Sequence, residues 1–417
     1  MIVDSQDARQ LSRRARADAV LVTAALAGNN VANYLLTVVA ARLLAPGVFG
    51  EFGSLLALMV IGVVPAMGLQ TVVALRVAER RVDAATEPLS RTETDPIMTL
   101  GLLTSGAVTL AGLALSPVIT SMLHLDSPWQ AIWLALSLAP LSMLGVFHGV
   151  LQGTHRFRAL AVMIGMEAFG KAGGALAGLA LFGHTAGALA MATICSSIVA
   201  VTGWLVCGAP ALAVKVDSRQ VRAVAHAASG MLALVLLVNL DLVLARHYLP
   251  AAQAGEYAVG AVLTKAAYWL PSAVGILVLP RLADPRRRRR LVPIALAVCV
   301  GVDAVAVVGA AVFGQEVMML IGGPQYAGSH LPMWAFALVG SVLSVMQILL
   351  FSRIASADTR SVWLVWTAVV VEVALVTTAF HGGVAAVVTA AAVATGLVAG
   401  AGAAIEVFAH RRRPSAG

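Results

Sequence analysis

Apolar residues run along this chain in long blocks, not in alternation. Residues 19–41 and 52–75 contain no Asp, Glu, Lys or Arg, nor do 96–125 or 127–155, and apolar stretches continue to residue 405. A helix rising about 1.5 Å per residue needs about 20 apolar residues to cross about 30 Å of hydrocarbon, so blocks of this length predict membrane-spanning helices. Breaks at "FGHT" (182–185), "APAL" (209–212), "GGPQ" (322–325) and "HGG" (381–383) help divide the chain into 12 spans. These are 18–41, 48–75, 97–122, 128–152, 158–182, 186–208, 223–247, 254–280, 291–314, 329–352, 361–380 and 384–408. A barrel would show short segments of alternating polarity, and none is present. The expected class is an all-α polytopic membrane protein. Pro65, Pro140 and Pro271 fall inside spans and are expected to kink them.

Composition agrees: of 417 residues, 60% are hydrophobic and 12% charged, with mean hydropathy +0.90, far from the balance of a soluble domain. The 28 basic residues then orient the spans, because loops retained in the cytoplasm keep Lys and Arg. With the N-terminus inside, 24 of them lie on the cytoplasmic side, including Arg9, Arg13, Arg14 and Arg16 in the leader and Arg411, Arg412 and Arg413 in the tail. This gives a basic leader (1–17), a six-helix bundle (18–208), a cytoplasmic linker (209–222), a second six-helix bundle (223–408) and a basic tail (409–417). The net charge of +8 is therefore mostly topology. Basic residues spread over seven cytoplasmic segments do not make the single face that nucleic acid needs, and "RRRRR" (286–290) reads as an anchor at anionic lipid headgroups.

Other signals narrow the chemistry. "SRRAR" (12–16) resembles a twin-arginine signal only superficially, since the segment after it is long enough to span. Cys195, Cys207 and Cys299 lie in or at the ends of spans without ligand spacing, and read as small packing residues. The nine histidines form no HExxH, and there is no GxxxxGK[ST] loop, so neither a zinc protease nor an ATPase is indicated. His148, His155, His226 and His330 near span ends read as interfacial hydrogen-bonders. No cofactor is expected.

One phrase occurs twice: "ARLLAPGVFGEF" (41–52) and "ARHYLPAAQAGEY" (245–257). Arg42 and Arg246, Pro46 and Pro250, and Arg156 and Arg360 are 204 apart; Gly50 and Gly255, Glu51 and Glu256, and Arg76 and Arg281 are 205 apart. A constant offset predicts two homologous halves of six spans. An even number makes them parallel repeats about an axis along the membrane normal, a layout suited to rocking around a midplane site.

The residues that carry this repeat also resemble a known family. "NNVANYLLTVVAARLLAPGVFGEFGSLLALMVIGVVPAMGLQTVVALRVA" (29–78), "NLDLVLARHYLPAAQAGEYAVGAVLTKAAYWLPSAVGILVLPRLA" (239–283) and "LIGGPQYAG" (320–328) look like the polysaccharide transporter family. These are O-antigen flippase relatives within the multidrug/oligosaccharidyl-lipid/polysaccharide superfamily. Leu242 departs from the pattern, standing where many relatives place a basic residue after the Asp. The resemblance implies a non-enzymatic flippase in a bacterial cytoplasmic membrane, moving a polyprenyl pyrophosphate-linked oligosaccharide outward, with polysaccharide assembly proteins as partners. Arg outnumbers Lys 25 to 3, which also suggests a GC-rich bacterial source.

Charged side chains inside spans cost about 2.5 to 3.5 kcal/mol on insertion scales, so each should face a cavity or find a partner. Lys265, near mid-depth of span 8, is the first candidate for a phosphate contact. Glu167 and Lys171 stand four apart in span 5, the spacing of a helical ion pair, with a cavity-lining proton-sensitive pair as the alternative. Arg42 and Arg246, at matching outer ends of spans 1 and 7, read as clasps to Glu51 and Glu256 or as a symmetric outer gate or phosphate relay that contacts the substrate. Asp241, Asp303 and Glu372 are the other acids at depth, and with Glu167 they are candidates for coupling to a proton or sodium gradient. Glu167 lies 11 residues beyond Arg156 and Glu372 lies 12 beyond Arg360, nearly equivalent positions.

Two other functions remain open at this stage. A multidrug-type exporter of amphipathic molecules would use the same repeat. A membrane polymerase or glycosyltransferase would want a large outer loop bearing acids, whereas the longest outer connection, 314–328, holds one acid, Glu316.

Overall fold

The computed structural model describes the backbone of residues 5–83, 91–208, 218–278, 285–354 and 360–411. Much of the expected linker, the loop carrying Arg281, and Arg412 and Arg413 of the tail lie outside the described residues. Among the described residues there are helices and turns but no strand. In chain order the helices are α1 (Ser5–Leu43), α2 (Pro46–Gly62), α3 (Val64–Asp83), α4 (Arg91–Met122), α5 (Pro128–Gly153), α6 (Phe157–Ala168), α7 (Gly174–Phe182) and α8 (Thr185–Val206). They continue with α9 (Ser218–Tyr248), α10 (Ala251–Val278), α11 (Pro285–Val312), α12 (Gly314–Gly322), α13 (Met333–Ile354), α14 (Arg360–Thr378) and α15 (Val384–Arg411).

Each of the 12 expected spans falls on a helix or on two consecutive helices. Seven segments of the described chain are long and apolar enough to cross a membrane as they stand, and Met333–Gln347, Trp363–Thr378 and Val384–Gly400 are shorter apolar helices. The protein is an all-α polytopic membrane protein.

Where the helices break, the cause is local. Span 2 parts at Val63, just before Pro65, which sits at the second position of α3 where no helical N–H is needed. The helix runs through Pro140 and Pro271 without interruption. Span 5 is broken by something the proline count does not foresee, a π-helical turn at Phe169–Gly173 between α6 and α7. At "FGHT", Gly183 takes a left-handed conformation (φ +70°) that closes α7, and the His184 ring accepts a hydrogen bond from the Gly187 N–H to open α8. Ser127 and Gln130 form a reciprocal cap at the start of α5. The connection after span 9 folds as a short helix, α12, bent by 91° from α11.

By internal packing the chain forms two units, Met1–Ala40 with Met59–Met231, and Ala41–Leu58 with Leu232–Gly417. In the first, α5 is central and packs against α3, α4, α6 and α8. Gly145, Gly149 and Gly153 leave room for the α3 backbone: a Cβ on Gly149 would stand 2.7 Å from the Gln70 carbonyl oxygen. Gly174 and Gly178 bring α7 equally close to α8. The opposite face of α8 exposes Ile194, Ile198, Val201 and Leu205, a helical stripe suited to lipid.

In the second unit α13 takes the central place, against α10, α11, α14 and α15. Here Gly340 admits the Thr264 carbonyl, and the Phe336 ring lies over Gly260. The α1–α2 corner belongs to this unit. A Cβ on Gly255 would fall 1.9 Å from the Pro46 carbonyl oxygen, and one on Gly50 would fall 2.8 Å from the Gly255 nitrogen. The duplicated phrase therefore writes two glycine-bearing corners that pack directly on each other.

Candidate functional site

Ionisable side chains buried in the helices form a cluster in each unit. In the second unit, Asp241 on α9 is 4% exposed and accepts a 2.9 Å hydrogen bond from the Tyr257 hydroxyl at the start of α10. Tyr257 is fully buried, its ring set edge-on to Phe336 at 5.1 Å. Lys265, two turns farther along α10, and Glu372 on α14 both interact electrostatically with Asp241. Glu372 is 0% exposed, and neither of its carboxylate oxygens has a hydrogen-bond partner. Asp241 Oδ1 and Asn239 Oδ1 are also unpartnered. A buried carboxylate without a donor leaves its desolvation uncompensated.

Asp303 stands apart from that cluster. It lies on α11 and accepts a 2.8 Å hydrogen bond from Ser344 on α13, next to the buried Ser341. The structure thus brings Asp241, Lys265 and Glu372 together and leaves Asp303 with its own partner.

In the first unit, Glu167 on α6 does not close the expected i, i+4 ion pair. Its near partner is His148 of α5, with Nε2 3.7 Å from Glu167 Oε2. Lys171 interacts with Glu167 electrostatically but not at ion-pair distance. The π turn is the reason: it inserts an extra residue per turn at Phe169–Gly173, with Lys171 at its centre, and loosens the helical register. His148 and Lys171 thereby share the one carboxylate of Glu167.

The corner arginines also depart from the expected clasps. Arg42 donates to the Leu320 carbonyl at the end of α12, not to Glu51, and Arg246 donates to the Gly47 carbonyl at 3.4 Å. Glu256 accepts a hydrogen bond from Ser329. Gln325, in the 3-10 turn Pro324–Tyr326, caps the last carbonyls of α1 by donating to Ala41 and, at 3.0 Å, to Leu44. The α1–α2 corner is fastened by the segment after α12. A local reading pairs each arginine with the acid nearest in sequence, whereas Arg42 reaches one of the free carbonyls of the last turn of α12.

No family model and no curated protein matches the sequence. Solved structures match it by shape. The lipid II flippase MurJ, inward closed, gives a TM-score of 0.76 at 11% identity, over 93% of this chain and 87% of that one. An inward-facing multidrug resistance MATE transporter gives 0.69 at 14% identity, over 93% and 96%. A MOP-superfamily transporter from Pyrococcus furiosus gives 0.53 at 13% identity, over 95% of each chain. The fold is that of MOP-superfamily transporters.

Within this MOP-type fold, the sequence reading missed two members of the clusters. Tyr257 ends the repeated phrase 245–257, and its hydroxyl, 16 residues from Asp241, is brought to it by the α9–α10 hairpin. His148, near a span end, reads from sequence as an interfacial hydrogen-bonder, but the structure sets it against Glu167. The available signal was a histidine inside an apolar span, which at 6% exposure must find a polar neighbour. Among the described residues, no group of three or more His, Cys, Asp or Glu side chains is placed to hold a metal ion.

Proposed function

We propose that this protein is a flippase that moves a polyprenyl pyrophosphate-linked oligosaccharide across a bacterial cytoplasmic membrane by alternating access, for cell-surface polysaccharide synthesis. The observation that carries the reading is a lysine at depth in each unit, Lys171 and Lys265, neither held at ion-pair distance by its acid. Both lysines are half-buried; an ammonium at depth without a close counter-ion is costly to retain, and a pyrophosphate headgroup is the anion such groups suit. Arg42 and Arg246 are secondary candidates for the same cargo. The fold shared with a lipid II flippase supports the proposal.

Asp241 and Glu372 are the proposed seat of coupling to a proton or sodium gradient, with Tyr257 fixing the Asp241 carboxylate; Asp303 and Glu167 are weaker candidates. The MATE-like shape and the same acid pair support a second reading, export of amphipathic small molecules. One experiment separates them. Deleting the gene is expected to cause a lipid-linked oligosaccharide to accumulate on the cytoplasmic leaflet, identifiable by mass spectrometry of extracted lipids. If instead the deletion strain becomes sensitive to amphipathic cations with no change in lipid-linked sugars, the exporter reading replaces the flippase.

A further inference from the structure

Three ionisable side chains in the first unit are not used by the acid pair of the second. His148 is nearly buried on α5, its Nε2 has no hydrogen-bond partner, and it faces Glu167 across 3.7 Å. That gap is too long for a hydrogen bond and short enough for an ion pair once the ring carries a proton. Lys171 approaches the same carboxylate from the π turn. One acid is thus faced by an imidazole and an ammonium.

The surroundings contribute no competing charge close by. From α3, Gln70 and Val73 lie against Gly149, and the charged residues begin a turn later at Arg76 and Glu79. α4 has no charged residue from Ile97 to Met122. α6 adds Arg158, which pairs with Asp18 of α1 at 3.9 Å. α8 offers the thiols Cys195 and Cys207, the latter beside Arg156, and His184 caps its far end. The balance among His148, Glu167 and Lys171 is therefore set mainly by the three themselves.

We propose that His148, Glu167 and Lys171 form a proton-gated anion site, in which protonated His148 takes over the Glu167 carboxylate and frees Lys171 for a phosphate-bearing ligand. When the imidazole is neutral, the Glu167 carboxylate, beyond ion-pair distance but within electrostatic range, offsets the Lys171 charge and the site is weak. Protonation adds one positive charge, and that charge is expressed at Lys171. Lys171 is the middle residue of the turn Phe169–Gly173, in which Ala172 is buried and Gly170 lies close to α8, so one face of the turn stays packed while the lysine changes partner.

The proposal rests on the anionic-cargo reading above and deepens it. Its test is the binding of radiolabelled inorganic pyrophosphate to the purified full-length protein at pH 5.5 and 7.5. The wild type is expected to bind about tenfold more tightly at the lower pH, a factor equal to about 1.4 kcal/mol. Pyrophosphate itself loses negative charge on acidification, so simple attraction would run the other way. H148Q should bind weakly at both pH values, E167Q tightly at both, and K171M at neither. Identical pH profiles in the wild type and H148Q, or wild-type binding by K171M, would overturn the proposal. E167Q is a predicted gain, so a variant that merely fails to fold cannot imitate support. Should lipid-linked sugar accumulate in the deletion strain while the pH step is missing, only the gate fails; a pH step without accumulated lipid sinks the cargo reading instead.

Discussion

Glu167 and Glu372 occupy almost the same place in the two six-span repeats, yet their surroundings have nothing in common. Glu167 faces a histidine on the central helix of its unit and a lysine on a π turn. Glu372 has no hydrogen-bond partner, and its electrostatic neighbours, Asp241 and Tyr257, lie on α9 and α10. The position in the first repeat that corresponds to Asp241, 204 residues earlier, is Thr37, which carries no charge. The packing order, by contrast, is kept: the fourth span is central in one unit, the tenth in the other, and each touches the matching four neighbours. Duplication preserved the scaffold because close helix contacts through glycine allow little change in volume. The ionisable groups were free to diverge, because each needs only a local partner.

The largest expected effect tests the shared scaffold. Gly149→Val and Gly340→Val each place a branched side chain against backbone, and each should exceed the usual overpacking cost of about 1–3 kcal/mol. Both variants should lose the monodisperse peak in fluorescence-detected size exclusion. Survival of one alone would break the equivalence of the two central helices.

Next comes the divergent chemistry. In vesicles with an imposed ion gradient and constant pH on the loading side, Glu372→Gln is expected to lower gradient-driven transport by about tenfold or more, equal to about 1.4 kcal/mol. Glu167→Gln should keep its response to the gradient. Equal losses would mean that the two acids do one job, and transport indifferent to collapse of both gradients would remove ion coupling altogether.

Tyr257→Phe sharpens the same contrast on a smaller scale. It deletes one hydrogen bond to a buried carboxylate, and bonds to charged groups contribute about 1.5–3 kcal/mol. A lower thermal midpoint and a weaker ion response are expected together. A midpoint unchanged from wild type would show that Asp241 does not depend on that hydroxyl.

The smallest effect concerns the corner. Arg42→Ala removes a bond to one carbonyl and Gln325→Ala the cap on α1, each worth about 1 kcal/mol. Stability should fall slightly, with transport within about threefold of wild type, less than 1 kcal/mol of barrier. A double Arg42→Ala, Arg246→Ala variant that lost transport while staying folded would restore the two arginines as a symmetric gate for the cargo.

Much of this architecture was legible beforehand. The spans at 128–152 and 186–208 fall within a residue or two of α5 and α8, and the breaks at Gly183 and Gly323 are turns with positive φ. The offset between Gly50 and Gly255 announced a repeat. What sequence spacing misjudged were partners. Glu167 and Lys171, four apart, were separated by a π turn; Arg42 passed over Glu51 for a carbonyl 278 residues away.

The division has a physical origin. In a lipid environment the backbone must satisfy its own hydrogen bonds, so length and polarity alone settle which segments are helical and that they span. The same reasoning fixes the loops, where charge and glycine end each block. Choosing which helix a buried Tyr257, His148 or Glu372 meets depends on how neighbouring helices pack, and that depends on residues scattered across the whole chain. The sequence by itself determined a duplicated bundle of apolar helices holding a few buried charges. Only the tertiary structure decided which charges meet, since the energy of a buried ion depends on the few ångströms between side chains that no spacing along one helix records.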